Sequence, residues 1–285
     1  MVIKTTHGRT DGLNSSSISS SQVFSEELSE KIIGLPCTLV ELANRYETAA
    51  FLKKDPSQFM HRYSSVREAE TVAFISANLA FGRREQILSH VEKILSCCTS
   101  SPCDWILNQK YKDFFPENNI SFYRMYTNTD MRLFFDGLRN ILEKSETIGE
   151  YFKEKWNSLS KDCYDSKKIY LHQVISSAFS SDCKLLPHSK DSAAKKVNML
   201  LRWLVRDNSP VDLGLWKWFS KKDLLMPLDT HVMQQSNELG LINSKSANLK
   251  TAIELTKKVA GIFPDDPLKA DFALFGLGVA SQEAR

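Results

Sequence analysis

Asp229 is the residue of this sequence with the clearest potential for chemistry. It lies in the run Pro-Leu-Asp-Thr-His, residues 227–231, directly before a segment with helical periodicity. An aspartate at the start of a helix caps free N–H groups, and the helix dipole stabilises its negative charge. An ionised carboxylate can stabilise a developing cation or act as a general base toward water. Capping and chemistry are compatible roles, so Asp229 is the first candidate for a catalytic residue.

The segment Ser192–Arg206 predicts an amphipathic helix that carries several basic residues. At about 100° per residue, one stripe of it is apolar and should face the core. That stripe consists of Ala193, Ala194, Val197, Leu200, Leu201, Leu204 and Val205. Lys195, Arg202 and Arg206 fall on the opposite side, where we expect one exposed basic face. A solvated surface is the simpler interpretation, and a row of contacts to nucleic-acid phosphates is the more specific one.

The composition is that of an ordinary folded protein with one or two domains. The 285 residues include 37 basic and 34 acidic ones, and the net charge of +3 neither demands nor excludes a polyanionic partner. No apolar run approaches the ~20 residues that span a bilayer, and the first residues lack the apolar segment of a secretory signal, so we expect none. We therefore expect a cytoplasmic protein, associated with the nucleoid if it binds DNA. The six cysteines predict reduced thiols without a complete set of metal ligands.

Apolar residues recur at helical spacing from about Ser25 onward, without a sustained strand pattern. The serine-rich run Asn14–Ser21 offers little to bury, so residues 1–30 should form a disordered tail before a helical domain of residues 31–285. Short loops and the lack of a fixed repeat favour a compact all-α fold. The predicted helices cover approximately residues 65–82, 84–97, 130–144, 151–159, 169–179, 192–206, 230–240, 247–262 and 267–279.

A Leu-Pro turn, a lysine-bearing helix and the Pro-Leu-Asp-Thr-His run follow one another in an order that resembles the helix-hairpin-helix DNA glycosylase superfamily. Across roughly residues 35–280, the chain also resembles an uncharacterised bacterial domain-of-unknown-function family related to that superfamily. The pieces that carry this resemblance are Asp55-Pro56, Phe59, Arg62-Tyr63, Ala80–Arg84, Tyr123-Arg124, Lys195–Arg206, Leu215–Lys217, Pro227–His231, Asp265–Pro267 and Asp271–Leu274. The resemblance implies a two-lobed, all-α, glycosylase-like fold in which residues 185–240 hold the basic helix and the aspartate turn.

The catalytic residues of the superfamily carry over to this sequence unequally. The carboxylate falls on Asp229. The lysine that forms a Schiff base in bifunctional members aligns near Ser192, so the direct match fails. A branch specialised for oxidised guanine has its lysine further along the helix, which makes Lys195 or Lys196 the candidate. These two side chains point about 100° apart, so both cannot face one pocket.

Lys195 and Lys196 have different surroundings on the helical wheel. Lys195 lies opposite the apolar stripe and reaches a cleft only if the helix presents that side. Lys196 shares a flank with Trp203, where partial burial would lower its pKa and supply the neutral amine that a nucleophile needs. Both lysines stay candidates. Trp203 and Trp216 could stack on an extruded base, although tryptophans at helical spacing more often pack in the core.

Two further pairs of residues are candidates for contacts to phosphates. The superfamily's hairpin usually reads Leu-Pro-Gly-x-Gly and offers backbone N–H groups to a phosphate. Here the hairpin has neither glycine, which leaves Ser189 and Lys190 as the candidates in it. Arg83 and Arg84 lie at a turn between helices, where they could meet phosphate or only water.

The resemblance implies a DNA-repair enzyme that removes a damaged base. Asp229 would serve the glycosylase step, and Lys195 or Lys196 would add an AP-lyase step. DNA is the expected partner, and the protein is expected to be a monomer without cofactors. Many relatives bind an iron–sulfur cluster through cysteines after the catalytic aspartate, but no cysteine follows Cys183 in this sequence. The alternative is a non-catalytic nucleic-acid-binding protein, which the missing hairpin glycines favour and Asp229 opposes. RNA stays open as a target, because a basic helix does not distinguish it from DNA.

Overall fold

The computed structural model describes residues 35–98, 101–162 and 168–283. Backbone contacts divide the chain into two units, Met1–Thr38 and Leu39–Arg285. In the first unit the described residues, 35–38, are helical. The predicted tail, residues 1–30, lies outside the described residues, so that expectation stays a prediction. The second unit contains the candidate site.

Helices dominate the described residues, which confirms the predicted helical character of the protein. Residues 35–46 form α1. The other α-helices are α2 (Ala49–Leu52), α3 (Val66–Leu79), α4 (Arg84–Leu95), α5 (Pro102–Leu107), α6 (Tyr111–Phe114), α7 (Asn128–Leu142), α8 (Ile148–Asp162), α9 (Leu171–Ser177), α10 (Lys195–Val205), α11 (Thr230–Glu238), α12 (Leu249–Ala260) and α13 (Lys269–Glu283). Short 3-10 helices cover Pro56–Arg62 and Lys221–Asp223, and β1 (Ser121–Tyr123) pairs with β2 (Tyr126–Thr127) in an antiparallel hairpin. Among the described helices, none has the length and apolar character needed to cross a membrane.

Local capping signals begin and end α11 and α12 near the predicted positions. The carboxylate of Asp229 accepts a hydrogen bond of 2.8 Å from the N–H of Val232, and Asn248 caps α12 by accepting from the N–H of Thr251 at 3.0 Å. Gly240 follows α11 with a φ of +68°, which glycine adopts without strain. The predicted cap at Asp229 is therefore confirmed.

Helix α3 lies at the centre of the second unit. Every residue from Ala69 to Leu79 is buried, and the helix packs against the first 3-10 helix and against α4, α5, α8 and α10. Helix α10 is almost as enclosed, since all residues from Val197 to Val205 are buried. A helix that is covered on all sides differs from the predicted one, which had a single apolar stripe.

Glu70 is an acid in the middle of this core. Its carboxylate accepts hydrogen bonds from the backbone N–H of Gly149 at 3.0 Å and from the indole N–H of Trp216 at 2.7 Å. Burial raises the pKa of Glu70 from its ordinary value of 4.5 to about 7, although both hydrogen bonds favour the ionised form. The folded protein therefore keeps a proton on Glu70 at a pH where the unfolded chain has lost it.

We expect the substitution Glu70→Gln to flatten the pH dependence of stability. Because Glu70 binds its proton more tightly in the folded chain, the free energy of unfolding falls as the pH rises from 4.5 to about 7. This group alone accounts for a loss of about 3 kcal/mol, which glutamine cannot show because it does not titrate. Denaturant unfolding across this range measures the loss, with Glu154→Gln at an exposed position of α8 as the matched control. Equal pH slopes for wild type and Glu70→Gln would contradict the prediction.

Candidate active site

A cavity of about 970 Å³ opens in the second unit, with walls from α10, α13, the start of α11 and the turn between α3 and α4. Its volume lies within the range of sites that hold small molecules or nucleotide-sized groups. The ionisable side chains of its lining belong to Asp55, Arg83, Arg84, Glu85, Lys195, Arg202, Asp229, His231, Lys245 and Asp271. This concentration of acids and bases makes the cavity the candidate active site.

Asp229 reaches the cavity from the N-terminus of α11, with a half-buried side chain. Helix α11 packs against α13, where a Cβ on Gly278 would lie only 2.6 Å from the Cβ of His231. The close approach of the two helices therefore depends on glycine at this position. The ring of His231 also meets Phe275 edge-on, with 5.6 Å between ring centres. These contacts hold the helix start that carries Asp229 against the cavity.

Lys195 reaches the same cavity as the first residue of α10. Its ammonium donates to the carbonyl oxygen of Ala80, just after α3, at 3.2 Å. The preceding residue, Ala194, has a φ of +46°, a left-handed conformation that costs an alanine roughly 1–2 kcal/mol. The structure thus brings Lys195 and Asp229, which are far apart in sequence, to the walls of one cavity.

Lys196 does not line the cavity. Its ammonium donates to three oxygens, the carbonyls of Leu185 at 2.5 Å and Asn78 at 3.0 Å and the hydroxyl of Tyr126 at 2.9 Å. Burial lowers the pKa of Lys196 to about 7, as its predicted place on the flank of the helix implied. The side chain nevertheless joins three segments of the chain, and none of its three partners belongs to the cavity lining.

Arg202 and Arg206 are buried, so the exposed basic face predicted for α10 is wrong. The two residues are 4% and 1% exposed. Their partners are four carboxylates, those of Glu47, Asp212, Asp266 and Asp271. Burial alone would lower the pKa of either arginine, but these carboxylates, Asp212 foremost, raise it above the ordinary value. Arg202 belongs to the cavity lining, but its guanidinium is paired with Asp212 and Asp271, so neither arginine forms an exposed face for the phosphates of a nucleic acid.

Trp203 and Trp216 belong to the core and not to the cavity wall, which corrects their predicted place in a base pocket. Both are fully buried. The ring of Trp216 packs against Phe74 and Phe152, with centres 6.4 and 6.0 Å away, and its indole N–H donates to Glu70. The aromatic rings that do line the cavity are those of Phe51, Phe81 and Phe275.

The other predicted phosphate contacts lie nearer the surface. Arg83 is exposed, Arg84 is half-buried, and both line the cavity. The guanidinium of Arg84 lies 4.8 Å from the ring centre of Phe275. Ser189 and Lys190 are exposed in the connection between α9 and α10 and are not part of the lining. All four stay predictions as phosphate contacts.

The structure adds two acids to which the sequence analysis assigned no role. Asp55, which caps the first 3-10 helix, and Asp271 of α13 line the cavity together with Asp229. Burial raises the pKa of Asp271 to about 6, against the effect of Arg202 and with a further contribution from the charge of Asp229. A charged residue within the mainly apolar stretch 270–274 was the signal that could have indicated Asp271. Within the described part of the chain, no three His, Cys, Asp or Glu side chains are arranged to hold a metal ion.

Comparison with protein families assigns the chain to one of them. The family described as Protein of unknown function (DUF2400) matches residues 55–280. The chain belongs to the DUF2400 family. This confirms the predicted relation to an uncharacterised domain family, and the matched span of DUF2400 contains Lys195, Asp229 and Asp271. No curated protein and no solved structure gives a significant match.

Proposed function

We propose that this DUF2400 protein is a DNA base-excision enzyme of the helix-hairpin-helix glycosylase type. The observation that carries the proposal is that Lys195 and Asp229 line one cavity, from the starts of α10 and α11. An amine and a carboxylate that can reach the same sugar are what a glycosylase with lyase activity needs. Residues 178–194, which connect α9 to α10, would take the place of the hairpin, and the helices on the two sides of the cavity would form the two lobes.

In the proposed reaction, both residues act on the sugar of an extruded nucleotide. The C1′–N bond breaks with its electron pair passing to the base, while the carboxylate of Asp229 stabilises the cation that develops on the sugar. The ammonium of Lys195 first gives a proton to water, and its amine then bonds to C1′. The nitrogen loses a further proton, the C1′–O4′ bond breaks and O4′ takes up a proton, which gives a Schiff base from which the strand can be cleaved. Where water takes the place of the amine, Asp229 accepts its proton and the reaction ends at base removal.

DNA would approach the cavity along its basic side. Arg83, Arg84 and Lys245 belong to the lining, and so does the exposed aromatic ring of Phe81. Basic side chains bind backbone phosphates, and an aromatic ring can stack on a base. These residues replace the two enclosed arginines of α10 as the proposed phosphate contacts. The protein would act as a monomer in DNA repair, in association with the nucleoid.

Excision assays with Asp229→Asn test the proposal. The purified protein is incubated with duplexes that carry 8-oxoguanine, uracil, an alkylated purine or an abasic site. We expect wild type to process at least one of them and Asp229→Asn to be slower by at least about a hundredfold. Asparagine caps a helix about as well as aspartate, so the stability should change little. Asp223→Asn, at an exposed position outside the cavity lining, is the matched control.

Two results would count against this function. An Asp229→Asn variant as active as wild type would remove Asp229 from the reaction. A wild-type protein that binds the four duplexes but processes none would instead be a non-catalytic nucleic-acid-binding protein. Binding to RNA of the same sequence, measured side by side, shows whether DNA is the preferred target.

A further inference from the structure

Asp271 brings a second carboxylate to the wall that Asp229 occupies. It lies on α13, is 5% exposed and lines the cavity. Its Oδ2 accepts a hydrogen bond from the guanidinium of Arg202, which lies 4.4 Å from the ring centre of Phe272. Because Arg202 also donates to the buried Asp212, the partner of Asp271 is itself held in place.

The buried charges around Asp271 do not balance. The guanidinium groups of two arginines, Arg202 and Arg206, face four carboxylates, those of Glu47, Asp212, Asp266 and Asp271. The rest of the cavity lining carries both signs, since it holds the acids Asp55, Glu85 and Asp229 and the bases Arg83, Arg84, Lys195 and Lys245. The excess of negative charge is therefore confined to the network around Arg202 and Arg206. In an interior with little water, an excess of negative charge favours the uptake of a proton by one of the carboxyl groups.

Asp271 is the carboxyl group best placed to hold that proton. Asp212 contacts both arginines, whereas Asp271 pairs with Arg202 alone. Of the four carboxylates only Asp271 belongs to the described cavity lining, which it shares with Asp229, while Glu47, Asp212 and Asp266 do not. Burial raises the pKa of Asp271 to about 6, its guanidinium partner opposes the increase, and Asp229 adds to it. Burial also raises the pKa of Asp212, but that side chain does not line the cavity and cannot pass a proton to a substrate there.

We infer that Asp271 is the general acid of this cavity and protonates the base as it leaves, an inference that rests on the proposed function. As the C1′–N bond breaks, its electron pair goes to the base, the O–H bond of Asp271 breaks, and the proton joins a nitrogen or oxygen atom of the base. The resulting carboxylate stays paired with Arg202 and regains a proton from water. Asp229 acts in its ionised form on the sugar, so the two carboxyl groups have different roles.

The rate of base release should depend on pH in a defined direction. The acid must hold its proton, so the rate falls as the pH rises through the pKa of Asp271. Arg202 pairs with Asp271 and also contacts Asp212. The other ionisable side chains of the cavity lining are those of Asp55, Arg83, Arg84, Glu85, Lys195, Asp229, His231 and Lys245. A variant of Asp271 itself is therefore needed to assign the pH dependence.

Single-turnover base release by Asp271→Asn tests the inference. Two substrates are compared. One is the lesion that wild type excises, and the other is the same nucleotide with a fluorinated base, which is more acidic and leaves without taking up a proton. At about pH 6 the variant should be slower by about a hundredfold or more on the lesion, but by less than about tenfold on the analogue. Its rate on the lesion should no longer fall as the pH rises. Asp266→Asn, in the same network but outside the cavity lining, should keep the wild-type pH dependence.

Each outcome decides for or against the inference. A wild-type rate in Asp271→Asn, or an equal loss on both substrates, would overturn it, since an equal loss indicates a structural role. If the variant does not fold, the wild-type protein provides the test. Its rate of base release should fall with rising pH on the lesion but not on the analogue. The same fall for both would overturn the inference. Wild-type protein that excises nothing overturns the proposed function itself, and Asp271 then loses its role with it.

Discussion

Borohydride reduction of the wild-type protein mixed with abasic DNA is expected to give a covalent adduct that Lys195→Gln abolishes and Lys196→Gln retains. The adduct forms when an amine adds to the aldehyde C1′ of the open sugar and loses water, and the resulting Schiff base is reduced. Lys195 lines the cavity together with Asp229, whereas Lys196 does not. Position therefore decides which lysine reacts.

Lys196 has a pKa suited to a nucleophile, but its surroundings prevent that role. At a pKa of about 7, a good part of its amine is neutral at neutral pH. The Nζ atom nevertheless donates to three oxygens, those of Asn78, Tyr126 and Leu185, none of which belongs to the cavity lining. Its removal leaves buried acceptors without a donor, so Lys196→Gln should lower the free energy of unfolding by about 1–3 kcal/mol. Lys195→Gln should mainly affect trapping.

Mass mapping of the wild-type adduct settles the assignment without any variant. Fragmentation of the modified peptide should place the added mass on Lys195. Thermal unfolding of both glutamine variants shows whether they are folded at the assay temperature. An adduct mapped to Lys196, or full trapping by folded Lys195→Gln, would contradict the assignment.

Local patterns in the sequence were sufficient to predict nine of the described α-helices and the cap at Asp229, but not α1, α2, α5 and α6. Periodicity and capping depend on residues within one or two turns, and the observed α10 and α11 lie within a few residues of the predicted bounds. The lowered pKa of Lys196 also follows from its place on the helix. All of these features depend on residues that are close together in the sequence, so a single sequence is enough to predict them.

Contacts between distant segments were beyond such patterns. The helical wheel assumes that one side of a helix meets solvent, but α10 is enclosed by α3, α9 and the carboxylates that surround its two arginines. Those carboxylates come from positions before and after α10 without any periodic relation to it. The choice between Lys195 and Lys196 likewise depends on packing against α3, because their ammonium groups donate to the carbonyls of Ala80 and Asn78, respectively.

Arg206→Met is expected to lower the free energy of unfolding by about 3–5 kcal/mol near neutral pH. The Arg206 side chain is almost fully buried and lies 5.3 Å from the ring centre of Phe272. Its guanidinium pairs with three carboxylates, those of Glu47, Asp212 and Asp266. Methionine keeps much of the volume but none of the charge, so these acids lose a cation that they share. Equilibrium unfolding in urea measures the difference.

Arg62→Met is the matched control, since Arg62 makes the same kinds of contact at the surface. It donates two hydrogen bonds to Glu92, of 2.9 and 2.8 Å, and its guanidinium lies 4.5 Å from the ring centre of Phe59. Its side chain is 44% exposed. An exposed pair of this kind contributes less than about 1 kcal/mol. The difference between the two methionine variants therefore measures what burial adds.

The destabilisation by Arg206→Met should also become smaller in acid. Without the guanidinium, the acids that it pairs with bind protons more tightly in the folded chain than in the unfolded chain, because a neutral carboxyl group is easier to bury. Relative to wild type, the free energy of unfolding of the variant therefore falls as the pH rises. We expect a smaller deficit at about pH 5 than at about pH 8. If Arg206→Met only lost packing, its free energy of unfolding would be lowered equally at both pH values. An equal loss at both pH values would therefore contradict a network held together by charge. A loss no larger than that of Arg62→Met would contradict it as well.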